Sequence, residues 1–234
     1  MGVVFGIRPA PRVGISVVSL YWQAKLPAMS ILATTVPSVT SAMSQIIGTV
    51  GEWGELSAIA IAAPLTWSGA KHGRRAIDNV LRQNLPRWAS RTWVRLPLAQ
   101  SSAVTVQGTA IALSLANEIR QGQLPHHAVV ECNPRYSLAY LWPDFSQSVL
   151  EYLRGTKEDQ NHIEKLLQQF HDAGVVRYEE DHRPQNAGEL EAFAAALTAL
   201  GVAEPQMGLV VQQHAGGDIR PVGKRVVATL LALP

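Results

Sequence analysis

The chain has 234 residues, 47% of them hydrophobic and 16% charged, with a formal net charge of +2. That composition suits a soluble globular protein with ample core and excludes a disordered or collagen-like chain. The single cysteine, Cys132, excludes an intramolecular disulfide, and no run approaches the roughly 18 apolar residues of a membrane span. Arg8, Pro9, Pro11 and Arg12 interrupt the N-terminal apolar region and argue against a signal peptide, so a cytoplasmic protein off the membrane is expected. The charge is uneven. Residues 1–150 hold 12 Lys and Arg against 6 Asp and Glu, whereas residues 151–234 hold 8 against 12. A basic first part favours an anionic partner.

A short strand is predicted at 3–7, broken by Arg8-Pro9-Ala10-Pro11-Arg12. Residues 13–22 alternate and are rich in Val and Ile, and a third strand at 29–35 follows the turn Lys25-Leu26-Pro27. Three strands with short connections predict an antiparallel meander. Pro37 opens a helix over 38–50, with Val39, Met43, Ile46 and Ile47 on one face. Residues 57–63, Ser-Ala-Ile-Ala-Ile-Ala-Ala, form a pure apolar run stopped by Pro64 and predict a strand buried on both faces. Ligands of open α/β sheets gather past the carboxyl ends of such strands.

Residues 71–95 change character, with seven basic residues against one acid, Asp78. Trp67, Trp88 and Trp93 are interleaved with Arg74, Arg75, Arg82, Arg87, Arg91 and Arg95. Such a segment suits stacking on single-stranded nucleic acid. It also suits a surface helix with tryptophans inward and arginines in water, the reading preferred here. A long helix at 101–121, a fifth strand at 128–132 and a helix from Pro134 to about 141 come next. Residues 149–153 and 159–173 follow the helical period, 175–184 is irregular, and 188–200 is a helix of small residues. Strands at 209–213 and 226–233 around Gly216-Gly217 predict a C-terminal hairpin. No repeat or linker divides the chain, and one domain over 1–234 is expected.

Two motifs add to this order of elements. Ile59-Ala60-Ile61-Ala62-Ala63-Pro64-Leu65 precedes Arg74-Arg75, and Val129-Val130-Glu131-Cys132-Asn133-Pro134-Arg135 follows. Together with the acidic-then-alanine-rich helix from Glu189, they resemble domain of unknown function family 429, a family of predicted nucleases with a ribonuclease H-like fold. The resemblance implies an α/β fold with a mixed five-stranded central sheet, an antiparallel three-strand meander plus two parallel strands. Flanking helices and the C-terminal hairpin would complete it.

The resemblance also implies an Asp at the end of the first strand and another at the end of the central strand. Here those places hold Arg8 and Ala62, and the first acid in the chain is Glu52. Two-metal hydrolysis of a phosphodiester needs carboxylates from separate elements to hold Mg²⁺ or Mn²⁺. The acids retained are Glu131 and Glu191, with Glu189 a nearby substitute. Glu131 is then either a catalytic residue and metal ligand or the partner of Arg8 or Arg135 in an ion pair.

His126-His127 and the pair His162 and His171 lack zinc spacing, and there is no phosphate-cradling glycine loop or Gly-x-Ser-x-Gly elbow. The expectation is a binding or accessory protein, without a cofactor, for nucleic acid or another anionic ligand. Arg8, Thr66, Arg74, Arg75 and Arg135 are its candidate ligand residues. The competing readings are a divergent Mg²⁺- or Mn²⁺-dependent nuclease using Glu131 and Glu191, joined by Asp78 or Asp144, and a structural or oligomeric protein.

Overall fold

Along the chain run β1 (Gly2–Ala10), β2 (Gly14–Trp22), β3 (Met29–Val36), α1 (Val39–Trp53), β4 (Glu55–Ile61), α2 (Ala76–Asn84) and α3 (Ser102–Arg120). They continue with β5 (Ala128–Cys132), α4 (Pro134–Tyr140), α5 (Gln160–Asp172), β6 (Val176–Arg177), α6 (Ala187–Ala203), β7 (Val210–Ala215) and β8 (Val226–Ala232). The computed structural model describes residues 2–10, 14–22, 29–66, 69, 71–94, 102–125, 128–140, 160–172, 176–177, 182–204, 210–215 and 226–232. Trp67, Arg95, His126, His127, Asp144, residues 149–153 and Gly216-Gly217 lie outside the described residues.

The strands join one sheet in the order β6-β3-β2-β1-β4-β5-β8-β7. β1, β2 and β3 are antiparallel neighbours, while β4 and β5 run parallel to β1. This is the expected α/β arrangement, a mixed five-stranded centre flanked by helices. The expected C-terminal hairpin continues it, β8 pairing parallel with β5 and antiparallel with β7. The two-residue β6 beside β3 falls in the segment expected to be irregular.

Two boundaries differ from expectation for local reasons. β1 does not break at Arg8 but continues to Ala10, with Pro9 opposite Ile15 of β2. The Ile7 carbonyl accepts from Ala62 N at 2.7 Å, so two residues on, Pro9 also faces the β4 side. Pairing with β4 has stopped at Ile7–Ile61, and the donor that proline lacks has no ladder bond to make there. The helix α1 starts after Ser38, whose Oγ accepts from Ser41 N at 3.1 Å. Pro37 therefore precedes the cap instead of opening the first turn.

Strand alternation sets two cores. Val4, Ala58, Ala60 and Val130 face α6, with Leu138 of α4 and Ile163, Leu166 and Leu167 of α5 in the same cluster. Phe5, Ile7, Ile59 and Ile61 face the opposite way, toward α1 and α3. Every residue of α6 from Glu189 to Gly201 is buried, as expected of a helix covered on all sides. Gly6 permits the contact: a Cβ there would run into the Ala192 carbonyl and the Ala196 nitrogen. Among the described residues no helix is long and apolar enough to cross a membrane.

Candidate functional site

β1, β4 and β5 stop at the same end of the sheet, and a cavity of about 80 Å³ lies there, lined by Ala62, Arg8, Glu131 and Glu191 among others. Ile7, Ile61 and Glu131 stand in register across the three parallel strands. Glu131 therefore points to the face that holds Ile7 and Ile61, the α1 and α3 side. Arg8, one residue on from Ile7, points to the α6 side, where Glu191 lies. The charged groups form two clusters, one on each side of the sheet's end.

On the α3 side, Arg75 is the hub. Its Nη1 lies 2.7 Å from the Glu131 carboxylate, and its Nη2 donates to Asp78 Oδ1 at 2.7 Å. Nη1 also donates to Thr66 Oγ1 at 3.0 Å and to the Thr66 carbonyl at 3.2 Å. Glu131 Oε2 accepts in addition from Leu65 N at 2.8 Å, and Asp78 from Arg75 N at 2.8 Å. Asp78 is held where an acid three residues into α2 reaches back to the residue capping that helix. Burial pushes the Glu131 carboxyl up from its ordinary value, with Arg75 and the Leu65 N–H opposing. Burial works against the Arg75 cation, but Glu131 and Asp78 overcome it and hold the guanidinium charged.

On the α6 side, Glu191 is the hub. Its Oε2 accepts from Arg8 Nε at 2.6 Å and its Oε1 from Arg135 Nε at 2.7 Å. Arg8 also donates to the Pro9 carbonyl. Burial would raise the Glu191 carboxyl, but the two guanidinium groups prevail and bring it down to about 2. Glu191 is buried, whereas Arg8 and Arg135 keep 17% and 30% of their side-chain surface open.

The sequence-based ion pair for Glu131 is thus corrected in its partner: Arg75 takes the place expected of Arg8 or Arg135, because strand parity sends Arg8 to the other face. Asp78, a candidate metal ligand of the nuclease reading, is an integral part of the Arg75 cluster. Thr66 is buried behind Arg75 rather than lining the cavity. Arg74 is exposed, donates to Asn79 Oδ1 at 2.6 Å and is not part of the cavity lining. Glu189 lies away from this cavity, accepting from Thr35 Oγ1 and Gln185 N, both at 2.7 Å.

In the basic segment Trp93 is buried and meets the half-buried Trp88 edge-on, ring centres 5.8 Å apart. Arg87 and Arg91 are exposed. Cys132 is buried, its thiol pushed up to about 11 by burial. Its Sγ lies 3.5 Å from Thr198 Oγ1.

Among the described residues no three His, Cys, Asp or Glu side chains form a group that could hold a metal ion. Asp78, Glu131 and Glu191 share one cavity, yet each accepts from a guanidinium. What the site offers chemically is fixed guanidinium groups at the end of a parallel α/β sheet, the place where such folds hold ligands. The sequence model of the family described as "Protein of unknown function (DUF429)" matches residues 16–214. The chain belongs to that family. The match takes in Arg75, Asp78, Glu131, Arg135 and Glu191, while Arg8 lies before it. No curated protein and no solved structure matches the chain.

Proposed function

We propose that the protein is a ribonuclease H-like scaffold that binds an anionic ligand at the carboxyl end of its central strands, nucleic acid being one class of such ligand. It acts as a binding or accessory protein in place of running two-metal phosphodiester hydrolysis. The observation that carries this reading is that Glu131 and Glu191 are each already engaged by guanidinium at 2.6–2.7 Å, from opposite sides of the sheet's end. A divalent ion entering there would have to displace Arg75 or Arg8 against a buried pairing. Arg8 and Arg135, both part-open to the cavity, supply the donors an oxyanion needs.

The second reading is the divergent Mg²⁺- or Mn²⁺-dependent nuclease, favoured by the presence of Asp78, Glu131 and Glu191 around one cavity. Calorimetric titration with Mn²⁺, repeated with Glu131→Gln, separates the two. The binding-protein reading expects no heat of binding at millimolar Mn²⁺ in either protein. Binding in the wild type that vanishes in Glu131→Gln would overturn it in favour of the nuclease.

A further inference from the structure

We propose that the opposite end of the sheet carries a second ligand site, which takes a nucleotide: its base lies on the Tyr21–Trp53 ring pair and its phosphate meets Arg177. This site does not rest on the anion-binding reading above, because the described residues that line it are none of those lining the strand-end cavity.

Strand register places three different side chains in one row. Tyr21 of β2 pairs with Ser30 of β3, and Ser30 pairs with Arg177 of β6. Paired residues project from the same face, and Tyr21 packs on the α1 side of the sheet. An aromatic ring, a small hydroxyl and a cation therefore stand side by side there. Neighbouring strands are about 4.8 Å apart, which puts the Tyr21 and Arg177 backbones roughly 10 Å apart with Ser30 between them. α1 ends at Trp53, whose ring stacks on Tyr21 with centres 4.5 Å apart and planes at 26°. Tyr21, Ser30, Leu32, Trp53, Arg177 and His182 line one cavity.

Three features of that cavity ask for a nucleotide. Trp53 stays 40% exposed although Tyr21 takes one face of its indole, so ring surface remains for another planar group. Arg177 is exposed, and among the described residues no hydrogen bond or ion pair holds its guanidinium. No acid is among the described residues of the lining; Glu52 and Glu55, which flank Trp53 in sequence, are exposed and lie outside it. Aromatic side chains stack bases of any kind, and a guanidinium is a strong donor to phosphate. A ring alone would leave Arg177 unused, and an anion alone would leave Trp53 uncovered.

The test is calorimetric titration of the full chain with adenosine 5′-monophosphate, adenosine, inorganic phosphate and a short single-stranded oligodeoxyadenylate. Wild type is compared with Trp53→Leu, Trp53→Phe and Arg177→Gln, all at exposed positions, each checked for folding by circular dichroism. The monophosphate is expected to bind about tenfold tighter than adenosine or phosphate. Trp53→Leu weakens it about tenfold, and Trp53→Phe keeps most of the affinity because a ring is still there. Arg177→Gln weakens the monophosphate about tenfold yet leaves adenosine unchanged, a split that loss of structure would not give. If Trp53→Leu does not fold, that split decides. An oligonucleotide that binds tighter than the monophosphate identifies a nucleic-acid strand as the source of the nucleotide, and a weaker one identifies the free nucleotide. Where the strand-end cavity takes the same probe, the isotherm has two components and one of them responds to these variants.

Monophosphate binding that ignores both Trp53→Leu and Arg177→Gln would overturn this proposal and leave the strand-end reading standing. Equal affinity for adenosine and its monophosphate would overturn it too, as would the absence of binding by the monophosphate and the oligonucleotide at millimolar concentration.

Discussion

Arg75 sits with two buried carboxylates on one guanidinium, and removing it leaves both without their counter-charge. Arg75→Met is expected to cost about 3–5 kcal/mol of stability, read from urea denaturation at neutral pH. Glu131→Gln leaves the Arg75–Asp78 pair intact and keeps an oxygen for the Leu65 N–H, so its stability should stay within about 1 kcal/mol of wild type.

Glu191 carries the opposite sign of shift to Glu131. Its folded value of about 2 lies below the ordinary 4.5, so its contribution is present above pH 4.5 and is lost as pH falls from there toward 2. The contribution is at most roughly 3 kcal/mol. Glu191→Gln should therefore be less stable than wild type at pH 7, with the gap closing toward pH 2.

The residues of this site were legible as strand-end and motif positions; their pairing was not. Glu131 and Arg8 both stand at strand ends, and only the register Ile7–Ile61–Glu131 shows that they face opposite sides. That register depends on contacts between segments more than 50 residues apart in sequence, which no local pattern reports. Asp78 did leave a local signal, an acid three residues after the Arg75 that precedes α2.

Among the helix–strand pairs of the described residues, α6 and β1 are the most tightly joined. Gly6→Ala is expected to lower the unfolding free energy by about 3 kcal/mol or more, because the added methyl meets backbone atoms that cannot turn aside. Loss of the α6 cap in Asn186→Ala, whose Oδ1 accepts from Glu189 N at 3.0 Å, should cost about 1 kcal/mol. Thermal denaturation of the two variants would rank them. Alternation and apolar runs made the meander, β4, β5 and the long helices legible. The alanine-rich stretch of α6 has no polar face, and that absence already points to a helix buried on all sides. A proline reads as a strand stop in sequence, yet β1 runs on through Pro9 because the missing donor merely points past the end of β4. In the basic segment the surface helix weighed from the sequence is present as the short α2, whose start rests on the Arg75–Asp78 contact and not on a long apolar stripe.

Across the whole molecule, stability should be graded from the middle of the sheet outward. Native-state hydrogen exchange is expected to be slowest in β1, β2, β4 and α6, whose core residues are fully buried, and fast in the two-residue edge strand β6. Uniform protection across the sheet would contradict that gradient.

The packing of α6 on β1 also bears on how the chain is made. Arg8 and Glu191 are 183 positions apart, and Val4, Ala58 and Ala60 are covered on one side by a helix translated long after them. From the end of β4 to the end of α6 is roughly 140 residues, or about 7–30 s of synthesis at common ribosomal speeds. Through that interval the strand face that α6 covers in the folded chain lacks its cover, so aggregation during synthesis is a risk until the late helix arrives.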